Sequence, residues 1–256
     1  MIPLAKFIRT TPFYVIAHRG ASGDAPENTL SSIQMAISEG ALMIEMDVQT
    51  TLDKELVVFH DSVLGRTTNG HGYVQQTPLS EIRTLDAGSW FNEKFASERV
   101  PLVGEALDMI QGHCYLNLEV KPLNQDADAE AEMHALVNAI VERKMAAYTV
   151  FVSFDHNALR TIKQINPTLH TAALNVPGDT RLPSEVIAAC GADGFGCSVQ
   201  ELTRKRSDDC AEHKIPWGVY TVNTAGALQT ALDHGVQCVV SNFPARVLEM
   251  YNASEK

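Results

Sequence analysis

Long apolar runs are missing from this 256-residue chain. None approaches the roughly 18 residues that a membrane-spanning helix requires. Positive charge is also scarce, with 20 Lys and Arg against 31 Asp and Glu and a net charge of −11. That excludes a nucleic-acid backbone as a general partner, because no basic field is available to attract it. It leaves room for one small phosphate held by a local Arg or Lys. Cysteine is sparse and odd in number, five in all, with no C-x-x-C pair. Such usage fits reduced thiols rather than a disulfide framework or a zinc site. The opening "MIPLAKFIRTTPFYVIAHRG" has no continuous apolar region and no small-residue cleavage site. It reads as a mature N-terminus, and the chain as cytoplasmic. Internal repeats and low-complexity tracts are absent too.

Hydrophobic residues make up 45%, enough for a full core. Short apolar or β-branched runs at 13–18, 41–49, 115–121, 149–154, 170–174, 194–198, 216–222 and 238–242 read as strands. Helical patterns lie between most of them. "NTLSSIQMAISEG" spaces Leu30, Ile33 and Ile37 on one face and ends at Gly40; "TAGALQTALDHG" begins at a capping Thr224 and stops at Gly235. "DADAEAEMHALVNAIVERK" is acidic at its start and basic at its end, as the helix dipole prefers. Eight strands with intervening helices predict a parallel α/β barrel, which typically needs about 250 residues. One domain over 1–256 follows. Residues 50–100 break the alternation, and "TTLDKELVVFHD" reads as a turn followed by an alternating strand. We read 50–100 as a small insertion after strand two, overhanging the strand C-termini where barrel active sites lie.

Charge on strands is the chemical signal. Glu45 and Asp47 share one face of their strand while Ile44, Met46 and Val48 share the other. In "LNLEVK", Asn117, Glu119 and Lys121 oppose Leu116, Leu118 and Val120. With the apolar faces against helices, three carboxylates point into the barrel. They repel unless protonated or bound to a cation. An all-oxygen cluster suits Mg²⁺ or Ca²⁺ and disfavours zinc. The same carboxylates could instead form structural salt bridges with Lys121 and Arg19, but charge in the middle of buried strands is costly, which favours a site.

His18 and His60 each end a strand-like run and precede a charged residue. Two such histidines can act as an acid–base pair. Arg19 and Lys121 supply positive charge for an anionic substrate. Together these groups describe hydrolysis or transfer at a phosphate ester. Asp61 is placed to orient either a histidine or its own loop, and Trp217 and Tyr220 either to line a pocket or to pack. "SVLGRTTNGHG" matches no P-loop spacing and reads as a loop turn. The other seven histidines read as surface or packing residues.

On "AHRG" (17–20), "PENT" (26–29), "IEMDVQ" (44–49), "VVFHD" (57–61), "LNLEVK" (116–121) and "VYTVN" (219–223), the chain resembles the glycerophosphodiester phosphodiesterases. The resemblance implies a (β/α)8 TIM barrel with a small insertion after the second strand. It implies ligation of one divalent cation (Mg²⁺ or Ca²⁺, with Mn²⁺ possible) by Glu45, Asp47 and Glu119. His18 and His60 become the acid–base pair, with His18 assigned as base, and Arg19 and Lys121 the phosphate contacts. Glu27 and Asn28 fall beside the site, Thr29 becomes a helix cap, and Tyr220 stands on the pocket wall. The implied reaction releases sn-glycerol 3-phosphate and an alcohol from a deacylated phospholipid. Two departures stand out: Tyr220 where the family often has Trp, and Ser241-Asn242 where it often has Thr-Asp. Both read as changes to the pocket wall that bear on the substrate's alcohol.

Within the same architecture, lysophospholipids or phosphoinositides are alternative substrates; the lack of a membrane-binding segment favours a small soluble one. A non-catalytic phosphodiester-binding barrel would have lost a histidine or carboxylate, and none is missing. A sugar-phosphate isomerase would bind phosphate after strands seven and eight, whereas the positive groups here sit on strands one and three.

Overall fold

The computed structural model describes residues 1–121 and 129–254. Its strands are β1 (Tyr14–Ala17), β2 (Met43–Thr50), β3 (Leu56–Val58), β4 (Tyr115–Val120) and β5 (Thr149–Ser153). They continue with β6 (His170–Leu174), β7 (Gly194–Ser198), β8 (Trp217–Tyr220) and β9 (Cys238–Ser241). All but β3 pair in parallel, and β1 closes the circle by pairing with both β2 and β9. The result is the eight-stranded TIM barrel that the alternation predicts. Each expected strand is present, its ends shifted by two residues at most.

The helices are α1 (Leu4–Thr10), α2 (Leu30–Ser38), α3 (Leu79–Ile82), α4 (Val103–Ile110) and α5 (Ala129–Glu142). After them come α6 (His156–Ile165), α7 (Pro183–Cys190), α8 (Arg204–His213), α9 (Ala225–Asp233) and α10 (Pro244–Ser254). The start predicted for α5, at 126–128, lies outside the described residues.

The strands read as nearly continuous apolar runs because both faces are covered. Ile44, Met46, Leu116 and Leu118 face outward and pack with Ile33, Leu107 and Leu136 of the helical shell. A second layer of contacts fills the barrel floor, where Leu4 and Phe7 of α1 meet Tyr14, Ile16, Met43 and Tyr115. Local signals set the ends of α2. The Thr29 side chain accepts from Ser32 N, the Ser32 hydroxyl accepts in return from Thr29 N, and Gly40 at φ +79 ends the last turn.

After β2 the chain reverses. Val48, Gln49 and Thr50 of β2 pair antiparallel with Val58, Val57 and Leu56 of β3. The segment that follows has its own small core of Val57, Phe59, Leu64, Val74, Ile82 and Val100. Gln49 Nε2 donates to the carbonyls of Phe59 (3.1 Å) and Asp61 (2.5 Å), which brings His60 back over the C-terminal end of the barrel.

Candidate active site

The site begins where β1 ends. His18 is followed by Arg19 at φ 54 and Gly20 at φ 80, two successive left-handed residues. Gly20 is required for space as well as conformation, since a Cβ there would lie 2.5 Å from the Ser32 backbone. With the chain turned this way, Arg19 N donates to Glu45 Oε2 at 2.8 Å. Its guanidinium reaches Glu27 Oε1 (2.6 Å) and Asp47 Oδ2 (3.3 Å). Asn28, also left-handed at φ 57, donates from Nδ2 to Asp47 Oδ2 at 2.8 Å and accepts from Asp47 N at 3.3 Å. Strained backbone of this kind concentrates where geometry serves function.

Glu45, Asp47 and Glu119 converge, each offering an oxygen within 4.8 Å of the others. The parallel register sets Glu45 opposite Asn117 and Asp47 opposite Glu119, all inward. Burial, then the charges of Asp47 and Glu119, push the Glu45 carboxyl well above its usual range. Glu119 is raised by burial and then by the charge of Asp47. Burial works against the charge on Asp47 too, yet Lys121, 2.7 Å from its Oδ1, and Arg19 hold it down to about 2. Lys121 also pairs with Glu119. Glu45 Oε1 is buried and has no hydrogen-bond partner among the described residues. A buried carboxylate oxygen without a donor, facing two further carboxylates, is the arrangement a hard divalent cation satisfies. The donor set fits such an ion.

Each histidine is held at Nδ1. His18 Nδ1 lies 2.6 Å from Asn242 Oδ1, and Asn242 is fixed in turn by its own N–H to Asn223 Oδ1 (2.9 Å). Burial and then Arg19 lower His18 to about 4. His60 Nδ1 lies 2.5 Å from Asp61 Oδ1. Arg66 donates from Nε to Asp61 Oδ2 (2.5 Å) and grips both oxygens of Glu27 at 2.8 and 2.7 Å. The hydrogen bond from Arg66, then that from the histidine, keeps Asp61 ionised down to about 2.

All the residues expected beside the carboxylates are on this face, though several do something more specific than the sequence suggested. Glu27 bridges Arg19 and Arg66, and Asn28 braces Asp47. Tyr220 packs edge-on to Phe154, with 6.1 Å between ring centres, above the floor cluster. Asn242, expected on the pocket wall, instead holds His18 directly. Its place just after β9 puts it on the functional face, a signal that could have found it. Arg66 lies in "SVLGRTTNGHG", which reads only as a loop turn, and carries no local signal. One of its partners, Glu27, is 39 residues away.

Fold and site together define a class: a (β/α)8 barrel with a cation-seeking carboxylate triad and two histidines at the strand C-termini. The chain belongs to the glycerophosphoryl diester phosphodiesterase family, whose model matches residues 18–246. It is 32% identical over 237 residues to a glycerophosphodiester phosphodiesterase of Caldanaerobacter subterraneus subsp. tengcongensis, covering 92% of this chain and 96% of that one. A glycerophosphodiester phosphodiesterase of Bacillus subtilis is 32% identical over 247 residues, covering 90% and 83%. The solved structure of an Oleispira antarctica phosphodiesterase in complex with its product sn-glycerol-3-phosphate superposes with a TM-score of 0.86 at 28% identity, covering 93% and 96%. Among the described residues, no helix is long and apolar enough to cross a membrane.

Proposed function

We propose that this protein hydrolyses glycerophosphodiesters, the deacylated phospholipids, to sn-glycerol 3-phosphate and an alcohol with one divalent cation. The observation that carries the reading is the convergence of Glu45, Asp47 and Glu119 between two histidines held at Nδ1. Glu45, Asp47 and Glu119 would hold Mg²⁺, Ca²⁺ or Mn²⁺. When bound, the cation supplies charge stabilisation for the phosphoryl oxygens.

The protein's own groups divide the rest. With the Asn242 oxygen facing the ring, His18 carries its proton on Nδ1 and leaves Nε2 unprotonated. A histidine lowered to about 4 is neutral at pH 7, so His18 is the base. It takes a proton from the glycerol hydroxyl or from water. His60 is held by the carboxylate of Asp61, which accepts from Nδ1 and offsets the positive charge of a proton donor; it serves as the acid that protonates the leaving alcohol. Arg19 and Lys121, already turned toward the carboxylates, add positive charge for the phosphate. Glu27 and Asn28 hold Arg19 and Asp47 in place.

The test is glycerol 3-phosphate release from glycerophosphocholine and glycerophosphoethanolamine, read by a coupled dehydrogenase assay. The protein is first treated with chelator, and Mg²⁺, Ca²⁺ or Mn²⁺ is then added back. Release that vanishes with chelator and returns with one of these ions is expected. Absence of release from folded protein with all three would overturn the reading.

A further inference from the structure

All three guanidinium nitrogens of Arg66 are engaged, and by carboxylates on two different loops. Arg66 ends the short helical turn Leu64–Arg66, whose Leu64 is buried in the core of the insertion. The Leu64 carbonyl accepts from the Thr68 hydroxyl, and its N–H donates to the Gly72 carbonyl, so the backbone beneath Arg66 is fixed. From there Nε and Nη2 fork onto Asp61, 2.5 Å from Oδ2 and 3.0 Å from Oδ1. Nη1 and Nη2 fork onto Glu27, 2.8 Å from Oε2 and 2.7 Å from Oε1.

Those carboxylates lead to two functional groups. Asp61 Oδ1 also faces His60 Nδ1 at 2.5 Å, and Glu27 Oε1 also accepts from Arg19 Nη1 at 2.6 Å. His60, Asp61, Arg66, Glu27 and Arg19 thus form one connected chain. Asp61 needs such a clamp. Its side chain is 20% exposed, too open for packing to fix it, and among the described residues only His60 and Arg66 bond to its carboxylate. Without the guanidinium between them, the Asp61 and Glu27 charges would repel. Arg19 has other holds, since its N–H donates to Glu45 and its Nε pairs with Asp47. Arg66 itself is 44% exposed, and ion pairs so open to water contribute little to stability. What a bidentate fork does supply is direction.

We propose that Arg66 is a positioning residue for the diester reaction: it locks the Asp61 carboxylate that aims His60 at the leaving alcohol. This role rests on the reading of His60 as the acid, and it touches one half of the reaction only. Protonation of the departing oxygen matters for a poor leaving group such as choline. It matters hardly at all for p-nitrophenolate, which departs as a stable anion. Loss of Arg66 is therefore felt in kcat with choline as the alcohol. KM stays nearly constant, because Arg19 and Lys121 remain to meet the phosphate.

The experiment compares Arg66→Gln with the unaltered protein, both with divalent cation added, on glycerophosphocholine and on the p-nitrophenyl diester of sn-glycerol 3-phosphate. With glycerophosphocholine, kcat is expected to fall about 10–100-fold at a KM within about twofold. With the p-nitrophenyl diester, kcat should stay within about threefold. Thermal melts of the two proteins should coincide. Arg66→Lys keeps the charge without the fork and should recover only part of the loss. Should Arg66→Gln fail to fold, Arg66→Lys decides by the same comparison of substrates. Equal loss on both diesters, or no loss on glycerophosphocholine, would overturn the role of Arg66 and leave the diesterase reading standing. An unaltered protein inert toward both diesters would overturn that reading, and the role of Arg66 with it.

Discussion

At Asn242 a single amide stands 2.6 Å from the nitrogen of a buried histidine. An amide oxygen orients the ring but brings no full charge, so burial and Arg19 are left to keep His18 neutral. Asn242→Asp replaces it with a carboxylate, which favours the imidazolium and raises the histidine's pKa, by a unit or more at this distance. A base must be unprotonated to work. The part of the acidic limb of the pH–rate profile that His18 sets is therefore expected to move to higher pH, with activity at alkaline pH retained. A profile whose acidic limb stays in place would remove His18 from the base role. Asn242 also shows where reading a sequence residue by residue stops. Its neighbour in space is 224 positions away, and no local pattern announces such a bond.

At the scale of elements, the strands were legible because each is a short apolar run between turn signals. The alternation on β2 and β4 alone puts Glu45, Asp47 and Glu119 on one side. The bracing between elements was not legible. Arg66 in the loop after β3 ties Asp61 to Glu27 in the loop after β1, and nothing in the spacing of either loop implies the other. The turn joining β1 to α2 is a tight joint. Gly20→Ala places a Cβ against the Ser32 backbone in a left-handed residue, so a loss of about 2 kcal/mol or more is expected. Urea unfolding should show a lower midpoint at unchanged slope. An unshifted midpoint would mean that the loop relaxes freely.

Over the whole molecule, the carboxylate triad links stability to pH and to cations. Glu45 is raised when folded, so without a cation the folded form holds a proton that the unfolded chain releases. Its contribution is full below the ordinary carboxylate range near 4.5 and is lost as pH rises through the raised value. Asp47 and Asp61, both held at about 2, act in the opposite direction. Their contribution is present above about 4 and falls away as pH drops toward 2. A divalent cation held there, as proposed, would replace the proton on Glu45. At a hundredfold excess over Kd it should add about 2.7 kcal/mol, and raise Tm by about 5–10 °C in a chain of this size. Thermal melts in chelator and in added cation check this, and the gap should widen from pH 5 to pH 8. A constant gap would mean that Glu45 does not take part in binding.

The closure of the barrel has a further consequence, for the order in which the protein is made. β1 is completed by β9, and His18 is anchored by a residue beyond β9. A nascent chain on the ribosome can present Glu45, Asp47, His60 and Glu119 long before position 242 has been translated. Until that residue emerges, the ring of His18 lacks the bond that fixes its direction in the finished barrel.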